Sequence, residues 1–141
     1  MYKIKIATVG KAKESWLEEG LSEYTQRLKP FAAIEWILAK NIEKLKQIVK
    51  QEGSYLCLDP AGKLQTSEQF SHFLMKRLEQ EGSRLLIVIG DADGLPSEIK
   101  QNASALLSLS PMTFTHQMTR LILLEQLYRG IEIARGTAYH K

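Results

Sequence analysis

The sequence LSLSPMTFTHQMTRLILLEQLYRGIEIARGTAYHK, residues 107–141, contains a polar turn, a long apolar segment and a polar tail in succession. Pro111 prevents a helix from running through the turn. The hydroxyl of Thr115 is suited to cap a helix that begins near His116, because it can accept a hydrogen bond from a free amide of the first turn. This helix is expected to end at Gly136.

Apolar residues lie on two opposite sides of this predicted helix, which a helix packed on a single core does not need. One side carries Leu123, Leu124, Leu127, Tyr128 and Ile131, and the other carries Met118, Ile122 and Ile133. We expect the first side to cover the sheet of its own chain and the second to pack against another copy. The sequence therefore predicts a homodimer; a central helix buried wholly within one chain is the alternative.

The composition is that of an ordinary soluble domain. The chain has 141 residues, of which 44% are hydrophobic and 25% charged, so we expect one compact domain over residues 1–141. The longest strongly apolar run, Leu85–Ile89, is far too short to cross a bilayer. The N-terminus meets Lys3 and Lys5 before any apolar run develops. The sequence predicts a cytoplasmic protein with no membrane partner.

Cysteine and histidine usage argues against two kinds of site. Cys57 is the only cysteine, so the chain can form no internal disulfide, and its apolar neighbours indicate a core thiol and not a nucleophile. The three histidines, His72, His116 and His140, show no close ligand spacing. We therefore expect no metal site.

The net charge of +3 permits nucleic-acid binding without demonstrating it. Residues 1–50 carry ten Lys or Arg against six Asp or Glu, and residues 117–141 carry four against two. The middle of the chain, residues 51–116, carries five against eight. Because the basic excess lies at the two ends, a dimer would bring it together into a surface for phosphates.

Predicted strands and helices alternate along the chain, which is typical of an α/β fold with a largely parallel sheet. Leu85–Ile89 is aliphatic without polar alternation, as expected of a central strand covered on both faces. The other strands are expected at Lys3–Val9, Ala33–Ala39, Tyr55–Leu58 and Leu106–Leu109. Further helices are expected at Trp16–Leu28, at Ile42–Gln51, from a Thr66 or Ser67 cap to Glu81, and at Pro96–Ala105.

Ligands of parallel sheets bind beyond the carboxyl ends of the strands, and this rule selects three loops, residues 58–63, 90–94 and 109–114. The first is no phosphate-binding loop, because Cys57 stands where its first glycine belongs. The second lacks the dinucleotide fingerprint, and its two glycines are more typical of a tight strand-to-helix connection.

Together, these loops are suited to enclose an adenosine with backbone groups and apolar walls. Leu58, Met112 and Phe114 would supply the walls, and Gly90 would let the backbone approach closely. From the residues alone, the prediction is an α/β domain with a cofactor-sized site and a basic surface.

Several motifs carry a resemblance to a known family. They are LSPMTF-x-HQ-x-x-R, LLEQLYR and YHK near the C-terminus, the KIKIATVGK start, the LD-x-x-GK loop and the IG-x-x-x-G turn. On these motifs the chain resembles, over essentially its whole length, the RlmH family, the ribosomal RNA large-subunit pseudouridine N3-methyltransferases of the SPOUT class.

The resemblance implies a mostly parallel sheet flanked by helices, a C-terminal trefoil knot and a homodimer. It implies S-adenosyl-L-methionine as cofactor, with S-adenosyl-L-homocysteine as product, and methyl transfer to N3 of a pseudouridine in 23S ribosomal RNA. We expect the substrate to be the assembled 70S ribosome. Carried over position by position, the cofactor contacts fall on Leu58, Gly90, Leu109, Ser110, Pro111, Met112, Thr113 and Phe114.

One position departs from the family pattern. The family usually has a second glycine after the central strand, whereas here Asp91 follows Gly90. The Asp91 side chain is expected to face solvent. The alternative is that its carboxylate lies near the cofactor and changes the affinity by about 1 kcal/mol.

The C-terminal tail is the candidate for the chemistry. A uracil-type N3 is protonated at neutral pH, so its methylation needs a general base or groups that stabilise the anion. His140 and Tyr139 are the catalytic candidates, on a tail that a dimer would let reach the partner's cofactor. A frayed terminus is the alternative.

The residues expected to contact RNA are His116, Arg120, Arg129 and Lys141. His116 has an equally good alternative as a structural neighbour of the helix cap. For Arg120 and Arg129 the alternative is ordinary ion pairing along the helix, with Glu125 and Glu132.

Two other functions are compatible with the same sequence. One is a non-catalytic RNA-binding or ribosome-binding module that keeps a methyltransferase fold. The other is a methyltransferase for another tRNA or rRNA base, because SPOUT relatives share cofactor loops while acting on different atoms.

Overall fold

The computed structural model describes residues 1–141 as five strands and five helices that alternate along the chain. The strands are β1 (Tyr2–Val9), β2 (Ala32–Ala39), β3 (Leu56–Leu64), β4 (Arg84–Ile89) and β5 (Ala105–Ser108). The helices are α1 (Ser15–Leu28), α2 (Ile42–Glu52), α3 (Ser67–Gln80), α4 (Ser97–Gln101) and α5 (His116–Arg135). The predicted fold class is confirmed; the trefoil knot stays a prediction.

The strands form one parallel sheet in the order β2-β1-β4-β3-β5. β4 lies at its centre, and every residue of Leu85–Ile89 is buried. This confirms the prediction of a central strand covered on both faces. Because all strands run the same way, their carboxyl ends lie along one edge of the sheet.

Helices cover both faces of the sheet. On one face, α1, α3 and α5 pack over a cluster of 17 buried apolar residues that includes Ile6, Leu74 and Leu124. On the other face, α2 and α4 pack over a smaller cluster of 10, which includes Leu45 and Ile99. The fold is thus a sheet between two helical layers of unequal size.

α5 lies between α1 and α3 and approaches both closely. A Cβ atom added to Gly20 of α1 would lie 3.0 Å from Leu121 Cδ1, and one added to Gly130 would lie 3.2 Å from Leu74 Cδ2. Ser71 of α3 donates its hydroxyl hydrogen bond to the carbonyl of Gly130. Small residues at these crossings allow the long helix to lie deep in the groove between its neighbours.

Both ends of α5 agree with the ends predicted from the sequence. The Thr115 hydroxyl accepts a hydrogen bond from the Met118 amide at 3.1 Å, and Gly136 ends the helix in the left-handed conformation at φ 72°. Leu123, Leu124, Leu127 and Ile131 are buried, whereas the second apolar side, Met118, Ile122 and Ile133, is only half-buried in the single chain.

The prediction that the third strand ends at Asp59-Pro60 is wrong. β3 continues to Leu64, with a shift in its pairing to β5 between Leu58 and Lys63. A proline is tolerated at such an irregularity because no ladder hydrogen bond is needed from it. Residues 59–62 therefore form a short bulge between the two stretches of β3 that pair with β5.

The fourth helix is much shorter than the predicted Pro96–Ala105. α4 ends at Gln101, the Asn102 side-chain amide donates to the carbonyl of Glu98, and Ala105 already pairs with Leu56 in the sheet. Strand pairing by β5 therefore overrides the local preference for helix in this segment.

Cys57 is a core thiol, as predicted, with no exposed surface. Burial raises the pKa of Cys57 to about 12; the charge of Asp59 adds to this effect and that of Lys100 opposes it. The thiol is therefore protonated at neutral pH and poorly suited to nucleophilic chemistry. No helix of the structure combines the length and apolar character needed to cross a bilayer.

We predict that Gly62→Ala destabilises the fold, because an added Cβ would lie 2.7 Å from backbone atoms of both Leu106 and Leu107. The obstacle is strand backbone, which cannot yield without disturbing the β3–β5 pairing. The expected loss in free energy of unfolding is about 1–3 kcal/mol or more, measured by urea denaturation. Ala61→Ser, at the exposed neighbouring position, should change it by less than about 0.5 kcal/mol. Equal stabilities for the two variants would contradict the packing described.

Candidate functional site

The structure brings the three predicted loops together at the carboxyl edge of the sheet. Leu58 lies at the end of the regular part of β3, Gly90 directly follows β4, and residues 109–114 directly follow β5. Because β4, β3 and β5 are adjacent in the sheet, these segments are neighbours although they lie far apart in sequence. The arrangement matches the position at which parallel sheets bind ligands.

The turn after β5 is shaped by its own hydroxyl groups. Ser108 donates its hydroxyl hydrogen bond to the carbonyl of Ser110 at 3.0 Å, and the Ser110 hydroxyl accepts one from the Met112 amide at 2.9 Å. Met112 and Phe114 point outward, with 76% and 37% of their surface exposed. Large apolar side chains held in the open by a fixed turn are suited to contact a flat apolar ligand.

The backbone of the same turn is available for hydrogen bonding. The amides of Thr113 and Phe114 and the carbonyls of residues 111–114 have no partner within the protein. Unengaged backbone groups beside apolar side chains fit an adenosine, whose base has one apolar face and a polar edge. The residues present therefore fit S-adenosylmethionine as the resemblance implies.

The turn after β4 leaves no room for a side chain at position 90. A Cβ atom at this position would lie 2.6 Å from the carbonyl carbon of Gly94, and Asp91 pairs with Gly94 in an isolated antiparallel bridge. The Asp91 carboxylate accepts a hydrogen bond from the Asp93 amide at 2.9 Å. The tight strand-to-helix connection suggested by the two glycines is thus present, and the Asp91 side chain helps to form it.

His116 lies where several elements of this edge meet. It is half-buried at the start of α5, and its Nδ1 atom is buried without a partner. Burial lowers the pKa of His116, and the positive charges of Arg120 and Lys13 lower it further, against the opposing charge of Asp91. The imidazole is therefore neutral at pH 7.

The prediction that Arg120 contacts RNA is not compatible with its position. Only 1% of its surface is exposed, and its guanidinium donates a hydrogen bond to the carbonyl of Val9 at 3.0 Å. The helix turns Arg120 inward, beneath the carboxyl end of β1, so it cannot reach a phosphate outside the protein. Its contact with the end of a strand gives it a structural role instead.

Arg129 pairs with Glu125 along the helix, which was the structural alternative to RNA contact. Its guanidinium donates to the Glu125 carboxylate at 2.8 Å, which raises the pKa of Arg129. Burial raises the pKa of Glu125, but hydrogen bonds from Arg129 and Tyr139 outweigh burial, and the net direction is downward. Glu125 is therefore a carboxylate with two strong donors.

The C-terminal tail is folded against α3 and α5 and is not frayed. The Tyr139 hydroxyl donates to Glu125 at 2.6 Å, and its ring lies edge-on to Tyr128 with centroids 4.8 Å apart. Burial, followed by the hydrogen bond to Glu125, raises the pKa of Tyr139. Tyr139 is thus a protonated donor at neutral pH. Lys141 is exposed and forms no ion pair.

Both ring nitrogens of His140 are engaged. Arg129 lies 2.9 Å from Nδ1, and since a guanidinium can only donate, Nδ1 is the acceptor. Nε2 then carries the proton and donates to Glu68 at the start of α3. In this arrangement His140 has no free nitrogen with which to accept a proton, so use as a base requires it to exchange a partner.

Gln117 is a site residue that the sequence did not identify. Its side-chain amide donates to the carbonyl of Lys11 at 3.2 Å and its oxygen accepts from the amide of Lys13 at 3.3 Å. These contacts join the start of α5 to the loop between β1 and α1. Glu68, which lies in the first turn of α3 and contacts His140, is a second residue to which the sequence assigned no role in the site. No local pattern indicates contacts between segments that meet only in the folded chain.

We predict that Glu125→Gln loosens the tail, because it removes the carboxylate that holds Arg129 and Tyr139. The expected loss of stability is about 1–3 kcal/mol, with faster amide hydrogen exchange in residues 137–141. Since the pKa of Glu125 is lowered, its stabilisation is present above the unfolded pKa and lost as pH falls. The difference from the unaltered protein should therefore shrink below about pH 4.

Glu23→Gln is the matched control, since Glu23 also pairs with an arginine four residues away, but on the surface. It should lower stability by no more than about 0.5 kcal/mol and leave exchange in the tail unchanged. An unaltered tail in the Glu125 variant would contradict the described contacts.

Comparison with known proteins gives the family. The sequence model of the family described as "Predicted SPOUT methyltransferase" matches residues 2–140. The ribosomal RNA large subunit methyltransferase H of Protochlamydia amoebophila is 53% identical over 141 residues, which cover all of both chains. The protein of the same name from Coprothermobacter proteolyticus is 38% identical over 139 residues, 99% of each chain.

Solved structures agree on the fold. A protein of Bordetella pertussis described as "Probable Methyltransferase" superposes with a TM-score of 0.57 at 8% identity, covering 92% of this chain and 96% of its own. One from Legionella pneumophila, solved in complex with S-adenosylmethionine, superposes with a TM-score of 0.50 at 15% identity, covering 94% and 66%. With the full-length identities above, the chain belongs to the SPOUT methyltransferase family, in the group of ribosomal RNA large subunit methyltransferase H.

Proposed function

We propose that this protein is an S-adenosylmethionine-dependent methyltransferase that acts on N3 of a pseudouridine in 23S ribosomal RNA. The observation that carries the proposal is the convergence of Leu58, Gly90 and residues 109–114 at one edge of the sheet. It occurs in a chain 53% identical, over its whole length, to a protein named for methylation of large-subunit ribosomal RNA.

The turn after β5 is the main support for the cofactor assignment. In the proposal, the backbone groups of residues 109–114 bind the adenosine, and Met112, Phe114 and Leu58 enclose it. When bound, S-adenosylmethionine supplies an electrophilic methyl group and leaves as S-adenosylhomocysteine. A structural neighbour from Legionella pneumophila holds the same cofactor, which supports the choice of ligand.

The tail supplies the acid–base chemistry. The protein must hold the target nitrogen in line with the methyl group and take up the proton of N3. His140 serves as the base after the substrate replaces Arg129 at Nδ1, the nitrogen that carries no proton, while Nε2 keeps its proton and its contact with Glu68. Tyr139, whose pKa is raised, stays protonated and positions the tail through Glu125.

The working unit is a homodimer in which the tail of one protomer serves the cofactor of the other. The half-buried apolar side of α5, Met118, Ile122 and Ile133, supports this arrangement. Trp16 of α1 adds a further large apolar side chain that is 51% exposed in the single chain. Burial of such surface is what stabilises obligate dimers.

The proposed substrate is the assembled 70S ribosome, bound by a protein that forms one domain over residues 1–141. His116, Arg129 and Lys141 lie on the RNA side of the site in this proposal. A domain of this size presents little surface for sequence readout, so recognition of a folded ribosomal surface suits it better than recognition of free RNA.

We predict methyl transfer from S-adenosylmethionine to 70S ribosomes purified from a strain lacking this protein, with the new methyl group located by mass spectrometry on N3 of a pseudouridine. Calorimetric titration should show cofactor binding without ribosomes. His140→Ala should lower kcat by about 10²–10⁴-fold and leave cofactor affinity unchanged.

His72→Ala is the control, because His72 is exposed on α3 and outside the site. It should leave kcat and cofactor affinity unchanged. Full turnover by the His140 variant would remove the base role. Cofactor binding without methylation of any ribosomal RNA would contradict the proposed function, and methylation of a different base would contradict the proposed target.

A further inference from the structure

Three unpaired lysines lie at the same edge of the sheet as the cofactor loops. Lys40 directly follows β2, and Lys11 and Lys13 lie in the loop between β1 and α1. Because β2 and β1 are adjacent in the sheet, the three residues follow neighbouring strand ends. All are exposed, and none of their ammonium groups forms a hydrogen bond or an ion pair.

Many other basic side chains of the chain are already paired with carboxylates. They include Lys5, Arg27, Lys46, Lys50, Lys100, Arg129 and Arg135. No contacting carboxylate offsets the charges of the lysines at the carboxyl edge, which leaves them available to a partner outside the chain. Three such charges beside neighbouring strand ends favour a polyanion over a single small anion.

The loop between β1 and α1, residues 10–14, carries Lys11 and Lys13 (the lysine loop). The first turns of α5 fix it relative to the proposed cofactor loop at residues 109–114. Gln117 holds the backbone of Lys11 and Lys13, and the buried Arg120 holds the carbonyl of Val9 at the start of the same loop. α5 begins directly after the Met112–Thr115 segment. Two loops joined to the same rigid helical turn keep a constant spacing, which a substrate spanning both requires.

The charges that act on His116 come from the same segments. Lys13 and Asp91 both act on its pKa, so the lysine loop, the β4 turn and the start of α5 lie within electrostatic reach of one another. The β4 turn carries Asp91 and Asp93 and would repel phosphates. A bound nucleic-acid strand should therefore pass over the β1–β2 half of the edge.

We infer that Lys11, Lys13 and Lys40 bind backbone phosphates of the ribosomal RNA beside the target nucleotide, with Gln117 and Arg120 as the residues that position the loop carrying Lys11 and Lys13. The inference rests on the proposed function and adds a surface for the substrate. The ammonium groups act as point charges on phosphates and contribute affinity without reading sequence.

The test measures the salt dependence of binding to 70S ribosomes purified from a strain lacking this protein. For the triple variant Lys11→Gln, Lys13→Gln and Lys40→Gln, the slope of log K against log salt concentration should fall in magnitude by about 2 to 3, because each phosphate contact contributes about 0.7–0.9. Affinity for S-adenosylmethionine, measured by calorimetry, should not change.

A charge-matched control replaces three unpaired lysines away from this edge, Lys3, Lys29 and Lys76, with glutamine. It has the same net charge as the test variant and should keep the slope of the unaltered protein. An equal loss in both variants would show a general charge effect and overturn the inference. An unchanged slope in the test variant would also overturn the inference. If the unaltered protein still bound and methylated ribosomes, that result would leave the proposed function intact. If the unaltered protein did not bind ribosomes at all, both would fall.

Gln117→Ala tests the positioning role separately. It should raise the KM for ribosomes with little change in kcat or in cofactor affinity, and it should speed amide exchange at Lys13. A merely structural role would lower the unfolding midpoint without moving KM, and that outcome would overturn the positioning role.

Discussion

The packing of α5 into the groove between α1 and α3 is the constraint on which the rest of the structure depends. Gly20 and Gly130 let the helix approach its neighbours, and Ser71 closes the second crossing with a hydrogen bond to the α5 backbone. The helix lies in that groove over most of its length. The turn that precedes it is thereby placed beside the ends of β3 and β4, and the tail that follows it is returned along its side.

The same helix holds together two segments that lie far apart in the sequence. Its first turns hold the β1–α1 loop through Gln117 and Arg120, and its later turns hold the tail through Glu125 and Arg129. Glu125 is central to the tail because it accepts from a guanidinium and a phenol at once. The tail is thereby ordered with both nitrogens of His140 engaged, so the base role proposed for His140 requires an exchange of partners and not the ordering of a loose end.

Local sequence patterns were enough to predict the features that depend only on neighbouring residues. The aliphatic run Leu85–Ile89, the Thr115 cap and the Gly136 stop each express a short-range preference, and all three are confirmed. The full extent of β3 and the shortness of α4 depend on pairing with β5 and were not predictable from local signals. The inward direction of Arg120 has the same origin, because a helical pattern does not reveal which strand end lies beneath a basic residue. The meeting of the three loops at one edge was predictable because parallel strands place their carboxyl ends together by necessity.

In the function we propose, the methyl donor binds at the carboxyl edge of the sheet. A cavity of about 560 Å³ lies instead at the opposite edge, lined among others by Lys3, Arg84 and Tyr55, and none of the proposed cofactor residues contributes to it. The most direct measurement is a titration with S-adenosylmethionine followed by backbone amide chemical shifts. We expect saturable changes centred on Gly90 and residues 112–114, whereas changes centred on the cavity beside Lys3 and Arg84 would show that the donor binds at the opposite edge.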